Sequence, residues 1–199
     1  EHIHGQIESL RGWSDGRVIE VDGIVNLASI KLLDQQVTAL TSPLAVRNGR
    51  AVLENIRGEL LGGDIYGRVE LTLDATPHYQ AALKLVNADL ASYARTLPGR
   101  QTFRGLVSGS LDVQGDGNDL RTCVGEGEAR VVRADLGELP LALRWVKVPN
   151  FRPPTKTAFD SATVRGQIGD GLIRLDTIRF TGDAFSLDGT GTVALQGER

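Results

Sequence analysis

Three histidines are the first residues that could do chemistry: His2, His4 and His78. On a strand, residues two apart share a face, so His2 and His4 would point the same way. A zinc site needs a third and usually a fourth ligand held tetrahedrally, and the neighbouring sequence offers none. The pair reads as the polar end of a strand, with no metal expected. The single cysteine, Cys123, sits between Thr122 and Val124 in what reads as a strand. A reactive thiolate needs a basic neighbour or a helix N-terminus, and only Arg121 is near, so Cys123 reads as packed. One cysteine also excludes an internal disulfide or a thiolate metal cluster.

The run Gly115-Asp116-Gly117-Asn118-Asp119-Leu120 matches one unit of a calcium-binding nonapeptide. In such repeats neighbouring turns share each ion, and a lone unit reads instead as a hairpin loop of residues that tolerate positive φ. No G-x-S-x-G nucleophile elbow occurs. "GDGND", "GEGEAR" and "GTGTV" are G-x-G, but none extends to G-x-G-x-x-G before a helix and no Walker lysine follows. The pairs Asp112/Asp116 and Glu126/Glu128 read as solvated strand faces. No catalytic residue, metal or cofactor is therefore expected, and the chain reads as no enzyme.

The elements that carry these residues are strands. Glycine is frequent, 24 in 199 residues, and separates short alternating runs. From Asp64 to Asp74, Ile65, Val69, Leu71 and Leu73 share a face. Beyond Thr76-Pro77, Tyr79, Ala81, Leu83 and Leu85 do the same. Between Thr102 and Val113 the inward set is Phe103, Val107, Leu111 and Val113. Between Phe185 and Leu195 it is Phe185, Leu187, Val193 and Leu195. One apolar and one polar face per strand argues for antiparallel pairing, since strands of a parallel α/β core are apolar on both sides. Helical spacing appears over Asn87–Leu97, with Asn87 or Asp89 as N-cap and Pro98-Gly99 as the stop, and over Glu138–Lys147, with Pro140 early and Pro149 beyond. Asn150 to Thr157 reads as a loop.

The expected fold class is all-β and mainly antiparallel: an elongated, bent β-sheet groove or half-barrel with one or two short helices. It divides into a β segment over 1–100 ending in a short helix and a second over 101–199 with one helix, or forms one continuous domain. An internal echo supports growth by addition. "RAVLENIRGELLGGDIYGRVELTL" follows Asn48-Gly49, and "LIRLDTIRFTGDAFSLDGTGTVAL" follows Asp170-Gly171. Ile-Arg and Gly-Asp stand at the same offsets in both.

Composition narrows the partners. The net charge is −3 from 22 basic and 25 acidic residues, and the charges are scattered singly. Nucleic acid needs clustered Lys/Arg and is not expected as a partner. No apolar run approaches the roughly 20 residues of a membrane span. Starting at Glu1 within a strand-like pattern and lacking methionine, the sequence reads as a piece of a longer protein whose anchor lies outside it. The apolar faces carry almost no proton-moving group. In an open groove they would bury an acyl lipid, since burial gains roughly 25 cal/mol per Å². Ile65, Val69, Leu71, Leu83, Leu85, Leu111, Val113, Phe185, Leu187 and Val193 are the expected lipid-binding set.

The stretch from Gly105 to Val148, "GLVSGSLDVQGDGNDLRTCVGEGEARVVRADLGELPLALRWVKV", resembles the C-terminal region of AsmA-like proteins. That family shows a G-x-hydrophobic strand, a G-x-G-x-D-L turn, a G-x-G-x-hydrophobic strand and an "LPLL" helix. The following "FDSATVRGQIGDGLIRLDTIRFTGDAFSLDGTGTVAL" continues it. Gly105, Gly115, Gly117, Leu120, Gly125, Gly127, Leu139, Pro140, Phe159, Gly171, Gly189 and Gly191 fit the pattern. "LLGGDIYGRVELTL" and "VNADLASYARTL" resemble the section before it. The resemblance implies a groove protein of the TamB-related kind, anchored in the inner membrane of a Gram-negative bacterium. It implies a periplasmic chain that binds or conducts phospholipid for outer-membrane homeostasis, with no catalytic residues. The alternative expectation is a scaffold that assists outer-membrane proteins by adding strands at a sheet edge.

Overall fold

The computed structural model describes residues 4–14, 19–32, 35–96, 104–117, 119–135, 159–182 and 186–195. Eleven strands form one antiparallel sheet in strictly sequential order. They are β1 (His4–Ser14), β2 (Ile19–Leu32), β3 (Gln35–Arg47), β4 (Arg50–Leu60), β5 (Gly63–Thr72), β6 (His78–Asp89), β7 (Arg104–Asp116), β8 (Val124–Asp135), β9 (Ser161–Gly169), β10 (Leu172–Thr181) and β11 (Ser186–Ala194). The expected all-β antiparallel sheet is what forms, and pairing of β6 with β7 carries it across residue 100 without a break.

Among the described residues one short helix, α1 (Leu90–Ala94), follows β6 and packs on β7. The expected helix from Asn87 is later and shorter. Its first residues stay in β6, where they still pair with β7, and Asn87 takes φ 55° within a bulge. Asp89 is the N-cap, accepting from the Ala91 N–H at 3.0 Å and the Ser92 hydroxyl at 2.9 Å. These two bonds hold its carboxyl below the usual range. The expected helix over Glu138–Lys147, and Phe103 and Phe185, lie outside the described residues.

Tight turns set the registers. Asn48-Gly49, Leu61-Gly62 and Asp170-Gly171 each join two strands with positive φ at both residues, the arrangement whose twist matches paired strands. The repeated sequence is a repeated structure. Leu53 and Ile56 on β4, and Leu175 and Ile178 on β10, bracket a bulge at the same place. Ile56 faces Gly67 on β5, and Ile178 faces Gly189 on β11. The closing bonds correspond too: Leu73 N–H donates to Gly49 O at 2.7 Å, and Leu195 N–H to Gly171 O at 2.9 Å. The bulges add twist and keep both aliphatic residues on one side although three positions separate them.

The core is thin. Phe159, Ala162, Ile178 and Phe180 form a buried cluster against which Val131, Val164, Leu175 and Leu187 pack. Phe159 and Phe180 meet with ring centroids 5.3 Å apart. Strand-to-strand packing is otherwise mainly between sequential neighbours, while α1 packs on β7, Thr96 beyond it accepts from the Gln35 amide of β3 at 3.3 Å, and Val37, Ile56 and Ile65 are buried.

Candidate functional site: the apolar face of the sheet

Chaining the cross-strand partners shows what one face is made of. From β2 to β11, one row reads Gly23, Leu44, Leu53, Val69, Ala81, Val113, Gly125, Ile168, Ile173, Val193. From β4 onward the next reads Ile56, Gly67, Leu83, Leu111, Gly127, Gly166, Leu175, Gly191. A third reads Gly58, Ile65, Leu85, Gly109, Ala129, Val164, Ile178, Gly189. Every position is aliphatic or glycine, because each strand alternates and each register places like faces together.

Nine of the ten residues expected to meet lipid belong to the described set, and all nine lie on this face: Ile65, Val69, Leu71, Leu83, Leu85, Leu111, Val113, Leu187 and Val193. They differ in cover. Ile65 is buried, and Leu187 leans on the Phe159 cluster. Val69, Leu71, Leu83, Leu85, Leu111, Val113 and Val193 are half-buried. The face also extends further than the expected set, onto Ile7, Leu10, Val21, Val25 and Leu27 of β1 and β2. A Cβ built on Gly23 would touch Ile7 and Leu10 at 3.2 and 3.3 Å, which places both side chains on the same side. Here cover is least, with Ile7 at 55% and Leu10 at 61% exposure. The signal for this extension was the alternation Ile19, Val21, Val25, Leu27. It is interrupted by Gly23, and Leu10 is shifted by the bulge between Glu8 and Arg11.

Glycines on this face let adjacent strands come close. A Cβ on Gly67, Gly109, Gly125 or Gly166 would stand 2.4, 2.4, 2.0 or 2.7 Å from a carbonyl oxygen of the next strand. Real side chains essentially never approach so closely, so these positions require glycine. Neighbouring side chains lie over the gaps. The Leu83, Leu111 and Leu175 methyls come within 2.6, 3.3 and 3.0 Å of the Cβ positions of Gly67, Gly127 and Gly166. Ser42, a polar residue within the face, is fully buried and donates its hydroxyl to the Glu54 carbonyl at 2.9 Å, beside the β4 bulge.

The opposite face is charged and paired. Arg50 and Arg68 bind Glu70, Arg165 binds Glu128, and Arg179 binds Asp188 at 2.6 Å. Two shallow clefts, about 390 and 450 Å³, open there among Arg68, Gln80, Asp112 and Glu126, and among Asp112, Glu128, Arg165 and Asp176. Polar side chains line both, with Ala82 and Val124 also lining the first.

The sequence's other candidates find ordinary partners. Asp119 binds the Arg121 guanidinium at 2.7 Å, which holds its carboxyl down at about 2. His78 Nδ1 meets Asp116 Oδ1 at 2.9 Å. Among the described residues no group of three or more His, Cys, Asp or Glu side chains could hold a metal. Cys123 is buried, just before β8 begins rather than inside a strand, beside the Tyr79 phenol. Burial, with the Cys123 thiol and Asp116 carboxylate adding, pushes that phenol up to about 12. No described helix is long and apolar enough to cross a membrane. No protein-family model, curated protein or solved structure matches the chain.

Proposed function

We propose that this chain is a non-enzymatic module that holds acyl lipid along the apolar face of its sheet. We place it on the periplasmic side of a Gram-negative envelope, in a larger protein that moves phospholipid toward the outer membrane. The observation that carries this reading is the largely apolar face from β2 to β11, opposite which the described residues place no second sheet. A sheet face of this composition in water is an unfavourable surface, and each Å² covered gains roughly 25 cal/mol. Its shape suits a long flexible chain rather than a compact ligand, because it has length and no enclosing wall. The opposite face is polar and carries exposed ion pairs such as Arg165–Glu128 and Arg179–Asp188. The resemblance of Gly105–Val148 to the AsmA-like family adds the compartment and the lipid class.

The experiment is retention of phospholipid after purification from the periplasm, read by native mass spectrometry, with Leu71→Asp and Leu111→Asp beside wild type. Both leucines are half-buried and neither belongs to the Phe159 cluster. A carboxylate there stays solvated on an empty face, whereas in a closed core it would unfold the domain. Retained melting with lost lipid supports the proposal. Unfolding of both variants, or a wild type that neither carries phospholipid nor takes it up from phosphatidylglycerol vesicles, refutes it.

A further inference from the structure

Beyond the row that runs from Gly58 and Ile65, the strand ends nearest α1 carry a fourth row on the same face. Val37 of β3, Leu60 of β4 and Gly63 of β5 stand in register, and Ala88 of β6 follows, paired with Val107 of β7. A Cβ on Gly63 would stand 2.5 Å from the Ala88 Cα, so β5 and β6 all but touch here. This row holds two of the most covered side chains of the face, Val37 at 2% and Ala88 at 1% exposure.

The segment 89–96 runs over this end of the sheet. The Asp89 N–H donates to the Leu61 carbonyl at 2.9 Å, which ties the segment to the β4–β5 turn. In α1 Ala94 is buried. Beyond the helix the Thr96 hydroxyl accepts from the Gln35 amide at 3.3 Å. Gln35 lies two residues before Val37 in unbroken register with β2, so both side chains stand on the apolar side. The segment therefore leads from β6 back to β3 on the apolar side, past the ends of β4 and β5.

Its hold is slight. A helix of five residues is not stable alone. It is fixed by the Asp89 cap, by the exposed Gln35–Thr96 bond and by the burial of Ala94, while Tyr93 points its ring to solvent at 38% exposure. Ala94 brings one methyl to the face, whereas an acyl chain brings a row of methylenes, and the gain grows with the area covered.

We propose that segment 89–96 is a strap that occupies this end of the apolar face in the empty protein and is displaced when an acyl chain is seated. The strap thereby sets the threshold for loading, since lipid gains the fourth row only in the open fraction of molecules. This inference rests on the lipid-holding reading above and adds a control to it.

The test follows uptake from phosphatidylglycerol vesicles by native mass spectrometry. One variant carries Gln35→Cys and Thr96→Cys on a Cys123→Ala background, compared before and after the two thiols are joined by a short bis-maleimide. Joining should cut uptake roughly tenfold, because the open fraction is removed. Asp89→Ala, which deletes the cap, should raise it by roughly fivefold, the factor one N-cap is worth. In the unaltered chain, lipid should quicken amide exchange at Arg95 and Thr96, whose N–H groups bond the Ala91 and Tyr93 carbonyls. That measurement decides the matter even where a variant melts early. Equal uptake before and after joining, no gain in Asp89→Ala, or slower exchange at Arg95 and Thr96 with lipid would overturn the strap and leave the lipid reading standing. A wild type that takes up no phospholipid removes both.

Discussion

A Cβ placed on Gly125 would stand 2.0 Å from the carbonyl oxygen of Asp112 on the neighbouring strand. No rotamer relieves that clash, because both atoms belong to backbone or to its first branch. Gly125→Ala should therefore cost about 3 kcal/mol or more through strand separation. Gly169→Ala is the control: it has open space around its Cβ position and should be neutral or slightly stabilising, by about 0.5 kcal/mol, through the unfolded chain. Urea denaturation of the two variants checks the contrast, and equal midpoints would show that the close strand approach tolerates a side chain there.

Leu61 holds φ 53° in the two-residue turn before β5, where the matching turns use Asn48 and Asp170. Leucine is strained in the left-handed region and asparagine is not. Leu61→Asn should raise stability by about 1 kcal/mol, less what the half-buried leucine contributes, and lift the melting temperature by about 2 °C. The carbonyl that accepts the Asp89 N–H at 2.9 Å is retained. A lower melting temperature would mean that the apolar contact outweighs the backbone strain.

The Tyr79 phenol is raised from 10.0 to about 12 in the folded chain. A group whose folded pKa lies above its unfolded one binds its proton more tightly when folded. Its contribution is full below pH 10 and is lost as pH rises toward 12. Tyr79→Phe should flatten the fall in stability across that window. A difference titration of phenolate absorbance between wild type and variant should show the missing group ionising near the upper end. An unchanged alkaline slope would place the loss of stability on other residues.

How far the sequence reached depends on strict alternation. Ile65 to Leu71 and Tyr79 to Leu85 alternate without interruption, and their shared face was legible from spacing alone. Leu175 and Ile178 are three apart, as are Leu53 and Ile56. Strict alternation assigns them to opposite faces, and only the bulges between them restore one. Helical spacing misled at Asn87, since a bulged strand also brings residues three and four apart onto a common side. The breadth of the face could not be read from any one strand. It depends on registers, and these depend on turns such as Leu61-Gly62, whose leucine gives no turn signal.

A sheet whose strands pair only with their sequential neighbours behaves as a one-dimensional chain of coupled hairpins. Most links close over short spans, so the loop-closure entropy that usually slows all-β proteins is small, and any hairpin can start growth. The link from β8 to β9 is the exception, since residues 136–160 separate the two strands. It should divide folding into an early block before it and a late block after it. Unfolding should run the other way, fraying inward from the two outer strands rather than collapsing everywhere at once.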